Sequence, residues 1–269
     1  MKKVKALLSL LAFAGIVYTI SSCSKTGATG ATGSAGAQGV PGAPGPVLTG
    51  TINGYVLLND EYGNPVTSGL SSAWVLLFNS ADNSKVDSVN ADSTGKFTMS
   101  NIKTGNYTMI AMSIGYGSAY HQNLEFNGGT LTVDNKLSAI PNFNVTNASD
   151  SIRHKTNQVY IYGNIPLDSR QRTLLIFVGN TASTSASPST YVFAATQAVP
   201  ADSSRYTITI PLGTIYGNGF ASGNTAYFAI YGAANNYTNG DYTDFASGRL
   251  VYTPITPTPY IPLPSIVLP

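Results

Sequence analysis

From residue 50 onward the sequence consists of short runs rich in Val, Ile, Thr and Tyr, separated by turn-forming residues. In the first run Ile52, Val56 and Leu58 alternate with more polar positions, which is the period of a strand with one buried face. Clusters of Gly, Asn and Asp follow at 60–65 and 92–95 and are typical of turns. No run has a helical period, so the pattern predicts an all-β chain built from β-sandwiches.

The segment 48–145 has the length of one domain. It contains a near-continuous apolar run at 73–78, which predicts a central strand. Trp74, the only tryptophan, lies in this run, and the context favours a place in the core. An indole face exposed to solvent could instead stack on a sugar ring.

Several linked motifs of this segment resemble the carboxypeptidase regulatory-like domain. The resemblance rests on the stretches 50–56, 63–66, 73–75, 92–97, 101–107 and 115–117. It implies a small, seven-stranded, prealbumin-like sandwich that is similar to the repeats of Gram-positive adhesins. It also implies a non-catalytic role in spacing, folding support, or contact with a protein or glycan.

A second set of strands is predicted within 146–253, where Thr, Tyr, Val and Ile dominate the runs. The predicted strands are 159–162, 173–178, 190–194, 206–210, 225–231 and 249–252. Their number suggests an immunoglobulin- or fibronectin-like sandwich. The polar stretch 142–150 is predicted to link the two domains. The proline-rich tail 254–269 is predicted to be an edge segment or an extended polyproline-II arm.

The N-terminus has the layout of an export signal. Three lysines within the first five residues precede an uncharged, mostly apolar run at 6–20, which is short for a membrane span. Small residues then lead to Cys23, the only cysteine, and this arrangement resembles the lipobox of bacterial lipoproteins. The resemblance implies cleavage of the signal 1–22 and lipidation of Cys23, with Ser24 favouring the outer membrane. An ordinary secretory signal that leaves a free thiol is the alternative.

Glycine recurs at every third position from 27 to 45. This is the period of a collagen-like Gly-X-Y segment, in which only glycine fits the axis of a triple helix. The segment 23–47 is therefore predicted to be a tether that begins at the lipidated Cys23. Because the segment is short and poor in proline, a flexible spacer is favoured over a trimerising stalk. Both a monomer and a collagen-like trimer stay open.

Composition argues against several functions. Removing the signal leaves 11 basic and 12 acidic residues, since three of the 14 Lys and Arg and none of the 12 Asp and Glu lie in it. A chain with this balance lacks the Lys and Arg on which nucleic-acid binding depends. Two His and one Cys cannot form a Cys/His zinc site, and no Gly-x-Ser-x-Gly elbow occurs. We therefore expect a protein that is not an enzyme and needs no cofactor.

The loop 235–244 is the strongest candidate for a ligand site. Asp241 and Asp244 are a near pair of acids, and Tyr237 and Tyr242 lie beside them. The carboxylates and amides could hold Ca²⁺, and the tyrosines could stack on a sugar. A solvated hairpin loop rich in turn formers is the favoured alternative.

The sequence thus predicts a non-catalytic surface lipoprotein with a structural, adhesive or binding role, exposed on the cell or facing the periplasm. A carbohydrate-binding accessory lipoprotein of a glycan-uptake system is the alternative. The two differ in where they require the rings of Tyr116, Tyr120, Tyr231, Tyr237 and Tyr242. Coplanar, exposed rings would favour sugar binding, whereas buried or scattered rings would favour the structural role.

Overall fold

The computed structural model describes residues 48–269 and five residues between Gly30 and Gln38. The chain divides into two units, Met1–Gly45 and Pro46–Pro269, and the fold given below is that of the second. Strands make up 51% of the structure and helix 5%, which confirms the predicted all-β class. The predictions for the signal, Cys23 and the Gly-X-Y tether lie outside the described residues.

Two sheets form the first sandwich. Its strands are β1 (Thr49–Asn59), β2 (Pro65–Val66), β3 (Trp74–Asn79), β4 (Lys85–Asn90), β5 (Lys96–Lys103), β6 (Gly105–Met112), β7 (Ala119–Phe126), β8 (Gly129–Thr132) and β9 (Asn135–Ser138). One sheet is centred on β1, which pairs antiparallel with β2 and β5 and parallel with β8 and β9. The other sheet has the order β4-β3-β6-β7.

Alternate side chains of the two sheets meet in one hydrophobic core, which includes Ile52, Met99 and Met109. On β3 the buried residues are Val75 and Leu77, so Trp74, Leu76 and Phe78 lie on the opposite, outer face of the strand. Trp74 is 53% exposed, and the prediction that it lies in the core is wrong. The apolar run 73–78 concealed a strand that alternates between a core face and an outer face, both of which are apolar.

Gly54 allows two strands to lie on the same edge of β1. The chain leaves β8 and steps through Val133 and Asp134 before it enters β9. The amide of Val133 donates to the carbonyl of Asn53 at 2.8 Å, and the Asp134 carboxylate accepts from the Tyr55 amide at 2.9 Å. A Cβ at Gly54 would overlap the carbonyl oxygen of Val133, so this close approach requires glycine.

The second sandwich follows directly. Its elements are β10 (Thr146–Arg153), β11 (Gln158–Asn164), β12 (Arg172–Gly179), β13 (Phe193–Val199), β14 (Arg205–Pro211), α1 (Leu212–Gly217), β15 (Thr225–Ala233), β16 (Tyr242–Asp244), β17 (Arg249–Val251) and β18 (Ser265–Val267). One sheet has the order β10-β11-β14, and the other has the order β13-β12-β15-β18. Strands β16 and β17 form a separate hairpin.

Strand β12 is buried on both faces, as its continuous run of apolar residues indicates. Leu174 and Ile176 belong to the core between the two sheets. Leu175 and Phe177 point to the other side, where Tyr191 and further aromatic residues from long loops cover them. The second sandwich therefore has an additional outer layer made of loops.

The predicted linker 142–150 is wrong over much of its length. Phe143 and Val145 are buried, and Thr146 begins β10. The polar residues that suggested a linker are mostly exposed: Asn142 and Asn144 alternate with the buried Phe143 and Val145, and Thr146, Asn147 and Ser149 lie on the exposed face of β10. The helix α1 and the later start of β13, at Phe193, also differ from the sequence pattern.

Part of the proline-rich tail forms a sheet edge. Strand β18 pairs antiparallel with β15, in which Ala226 lies opposite Ile266. Leu268 is buried in the core of the second sandwich. The edge segment that was one of the two alternatives for the tail is thus observed at Ser265–Val267, while the domain boundaries at 145 and 253 stay predictions.

A polar cluster joins the turn after β1 to the segment before β12. The Tyr62 hydroxyl donates to Asp168 at 2.6 Å, and the Arg172 guanidinium donates to the same carboxylate at 2.8 Å. The Arg170 guanidinium lies 3.4 Å from the centre of the Tyr62 ring. Tyr62 and the neighbouring amide and guanidinium groups hold the pKa of Asp168 below its usual range, while burial and Asp168 raise the pKa of Tyr62 to about 12. The cluster fixes one sandwich against the other.

Candidate functional site

The loop 235–244 lies between the two sandwiches. The Asn235 amide donates to the carbonyl of Glu61 at 2.9 Å, and the Asn239 side chain donates to the Ser138 hydroxyl at 3.1 Å. Gly240 adopts a φ of 82°, and a Cβ there would overlap the carbonyl oxygen of Ser118. The loop is therefore only partly solvated: Asn236 and Thr238 are exposed, while other turn-forming residues contact the first sandwich.

None of the five tyrosines whose exposure would distinguish sugar binding from a structural role is strongly exposed. Tyr231 is only 4% exposed, and Tyr116 packs against the first core. The rings of Tyr120 and Tyr242 stack on each other with their centres 4.0 Å apart, and Tyr237 packs beside the outer layer of the second sandwich. This scattered, half-buried arrangement favours a structural role for these rings.

The two acids of the loop have different surroundings. One oxygen of Asp241 is buried and has no hydrogen-bond partner among the described residues, and burial raises the pKa of Asp241 to about 7. Asp244 accepts hydrogen bonds from the hydroxyl and the amide of Ser247, which lower its pKa. In the described part of the chain, no group of three or more His, Cys, Asp and Glu side chains could hold a metal. The Ca²⁺ site in this loop stays a prediction.

Replacing Asp241 with asparagine is expected to raise stability more at pH 8 than at pH 5. The carboxyl is protonated at pH 5 in the folded chain but largely ionised in the unfolded chain, so its contribution to stability falls as pH rises toward 7. Asparagine does not titrate, so the variant does not lose this stability. Its free energy of unfolding relative to the wild type should be about 1 kcal/mol higher at pH 8 than at pH 5, because solvent partly screens the carboxyl. Urea unfolding at both pH values measures it.

Asp82→Asn is the matched control for this prediction. Asp82 is exposed, and hydrogen bonds from Ser84 lower its pKa, so asparagine should give no added stability at pH 8. An Asp241→Asn variant whose advantage is the same at both pH values would contradict the burial of an ionisable oxygen.

The outer side of the sheet β4-β3-β6-β7 carries a continuous strip of apolar side chains. Cross-strand pairing places Trp74 opposite Met112 and Leu76 opposite Ile110, and Ile110 in turn lies opposite Tyr120. We call this surface the Trp74 face. Its members are Trp74, Leu76, Phe78, Thr108, Ile110, Met112, Tyr120 and Gln122.

A groove of about 450 Å³ lies at one end of the Trp74 face. Trp74, Met112 and Ile114 line it, and Ile114 is 96% exposed. Hydroxyl groups edge it, with the oxygens of Ser72 and Ser113 only 3.1 Å apart. The groove therefore has an apolar floor and a few polar groups at its rim, the composition of many binding sites.

A second groove of about 450 Å³ lies at the other end of the face. Phe78 and Ile110 line it together with Tyr242 and Phe245 from the second sandwich. Phe245 is 70% exposed. The loop 235–244 thus reaches the edge of the Trp74 face through Tyr242, although its acids do not line this groove.

A larger groove of about 650 Å³ lies elsewhere, beside the contact between the sandwiches. Leu57, Pro65, Leu70 and Lys136 are among its lining residues. Its lining includes three asparagines and a lysine but no aromatic ring, so it offers hydrogen bonds and lacks the stacking surface of the Trp74 face. Among the described residues, no helix has both the length and the apolar character needed to cross a bilayer.

No protein-family model and no curated protein matches the sequence. A provisionally named carbohydrate binding protein from Bacteroides uniformis shares 15% identity, covering 82% of this chain and 100% of its own, with a TM-score of 0.30. A DUF3823 family protein from Parabacteroides merdae shares 12%, covering 78% and 98%, with a TM-score of 0.26.

The major pilin subunit of Bacillus cereus shares 11% identity, covering 70% of this chain and 65% of its own, with a TM-score of 0.28. TM-scores at this level are too low for these similarities to establish a shared function. The resemblance of 48–145 to the carboxypeptidase regulatory-like domain stays a prediction.

Proposed function

We propose that this protein is a non-catalytic binding protein of the cell envelope, and that its Trp74 face recognises a protein partner. The observation that carries the proposal is the exposed indole of Trp74 within a continuous apolar strip. Large exposed apolar patches are rare on soluble proteins unless they form a binding site. Tryptophans that a partner buries are also prominent among the residues that contribute most to binding.

The chemistry of the strip favours a protein over a sugar as the partner. Leu76, Ile110, Met112 and Ile114 contribute aliphatic surface, which gains free energy when another apolar surface covers it. Sugar sites need several polar side chains for the ring hydroxyls, and the strip has few. The carbohydrate-binding alternative also rested on Tyr237 and Tyr242, whose rings are half-buried in contacts within the chain.

Placement at the envelope is part of the same proposal. The export signal, the lone Cys23 and the Gly-X-Y segment support a lipidated N-terminus and a spacer of residues 23–47. Such a spacer would hold the two sandwiches away from an outer membrane, where the Trp74 face is accessible to partners. Monomeric and trimeric forms are both compatible with this role.

The single tryptophan provides a direct test. The chain without its signal is applied to arrays of envelope proteins, matrix proteins and glycans, and hits are titrated while Trp74 fluorescence is followed. We expect binding to a protein, with emission shifting to shorter wavelength as the indole leaves water. Trp74→Ala should weaken binding by about 30-fold, the usual effect at a hot spot.

Ile114→Ser is a second variant that spares the fold, because this side chain is almost entirely exposed. It should weaken binding at least tenfold, whereas Leu167→Ser, at another exposed apolar position, should bind like the wild type. Binding only to glycans, or protein binding that Ile114→Ser leaves intact, would overturn the proposal.

A further inference from the structure

The outer side of the sheet β10-β11-β14 carries two tyrosines in a row. Val159 and Ile161 of the central strand β11 are fully buried, so Tyr160 and Tyr162 point outward. Tyr162 is 45% exposed. Both rings line a groove of about 490 Å³ that is separate from the Trp74 face.

Small hydroxyl residues flank both rings. Cross-strand pairing places Tyr162 between Ser149 of β10 and Thr207 of β14. Tyr160 lies between Ser151 and the next outward threonine of β14 in the same way. Short side chains on both sides leave the face of Tyr162 open and supply hydroxyl groups beside it.

Two arginines lie at opposite ends of the groove. Arg153 pairs with Gln158, the first residue of β11, and Arg205 pairs with Asn164, the last. The Cα atoms of the two arginines are therefore about 20 Å apart along the strand direction. The Arg153 guanidinium lies 4.4 Å from the centre of the Tyr160 ring, which orients it. The salt bridges found among the described residues involve neither arginine.

This face has no acidic group to oppose the arginines. Asp150 is the only acid on the three strands, and it lies on the inward side of β10, where it contacts the amide of Ser265. The outward residues of the three strands are thus Tyr, Arg, Ser, Thr, Asn and Gln, with Pro211 at the end of β14, and none of them is acidic. Such a surface attracts anions and offers hydrogen bonds to hydroxyl groups.

We infer that this face binds an acidic polysaccharide of the polyuronate class. Tyr162 stacks on a sugar ring, the serines and threonines bond to ring hydroxyls, and Arg153 and Arg205 bind carboxylates on separate sugars. The distance between the arginines fits an oligomer better than a single sugar. Single-stranded nucleic acid also combines stacking with arginine contacts, but two arginines are few for a polyphosphate.

Calorimetry with the chain without its signal tests this inference. The probes are oligogalacturonate, the same oligomer with its carboxylates methyl-esterified, and oligothymidylate. We expect saturable binding of oligogalacturonate that weakens as salt is added and weakens at least tenfold on esterification. Stronger binding of oligothymidylate, or equal binding of the esterified oligomer, would overturn the inference, as would no saturable binding by folded protein.

Variants assign the binding to this face. Tyr162→Ala and Arg205→Gln should each weaken binding at least tenfold, and Arg205 is exposed, so its replacement spares the fold. Tyr55→Ala is the matched control, because Tyr55 has nearly the same exposure but lies on the first sandwich. Retained binding in both test variants would contradict the inference. Trp74→Ala should leave this binding unchanged, which separates it from the proposed protein site.

Discussion

Replacing Gly54 with alanine is expected to destabilise the chain by about 3 kcal/mol or more. A Cβ at this position would overlap the backbone of Val133, and backbone cannot move aside as a flexible side chain can. The crossing from β8 to β9 would have to shift, and the bonds from Val133 to Asn53 and from Tyr55 to Asp134 would weaken with it. Equilibrium unfolding in guanidinium chloride measures the change.

Gly213→Ala is the matched control for this substitution. Gly213 lies in α1, and a Cβ there would contact nothing within 4 Å. Alanine should therefore leave stability unchanged or raise it slightly, because it has the higher helix propensity. If Gly54→Ala unfolds at the same denaturant concentration as the wild type, the close approach of β1 and Val133 is contradicted.

Replacing Phe177 with alanine is expected to cost about 3–5 kcal/mol. Phe177 is fully buried, and its ring lies 4.9 Å from that of Tyr191, 5.5 Å from that of Tyr231 and 5.7 Å from that of Tyr252. Alanine would leave a cavity under the outer layer of the second sandwich and remove all three aromatic contacts. Denaturant unfolding measures the loss, and near-ultraviolet circular dichroism follows the ordering of the tyrosines.

Phe177→Leu separates the aromatic contacts from simple burial. Leucine refills much of the volume, so its cost should be clearly smaller than that of alanine. Equal stability of the alanine variant and the wild type would mean that the loops with Tyr191 and Tyr252 do not form a packed layer.

The sequence predicts this fold best where one strand face differs clearly from the other. Strand β1 alternates and was predicted correctly. Strand β12 has no such contrast between its faces: the sequence predicts a strand at 173–178, and the structure shows that both faces are buried. Trp74 was misplaced because the outer face of β3 is itself apolar. The property that makes this face a candidate for binding is therefore the one that concealed it in the sequence.

The candidate sites depend on contacts between residues far apart in the chain. Asn235 contacts Glu61, and Tyr242 stacks on Tyr120, so no local pattern reveals that the loop 235–244 joins the sandwiches. The alternation at 159–162 indicates that Tyr160 and Tyr162 share a face. Their hydroxyl and arginine neighbours are known only from the pairing of β10, β11 and β14.

The pairing of β1 determines how the protein responds to mechanical force. This strand, which begins at Thr49, is hydrogen-bonded on both edges: β5 and β8 flank its first half, and β2 and β9 flank its end. A force directed along the strand would load these bonds in shear, so they would share it, whereas a terminal edge strand would peel away one bond at a time. A load along β1 would therefore have to break bonds on both edges of the strand at once before the first sandwich could unravel from this end.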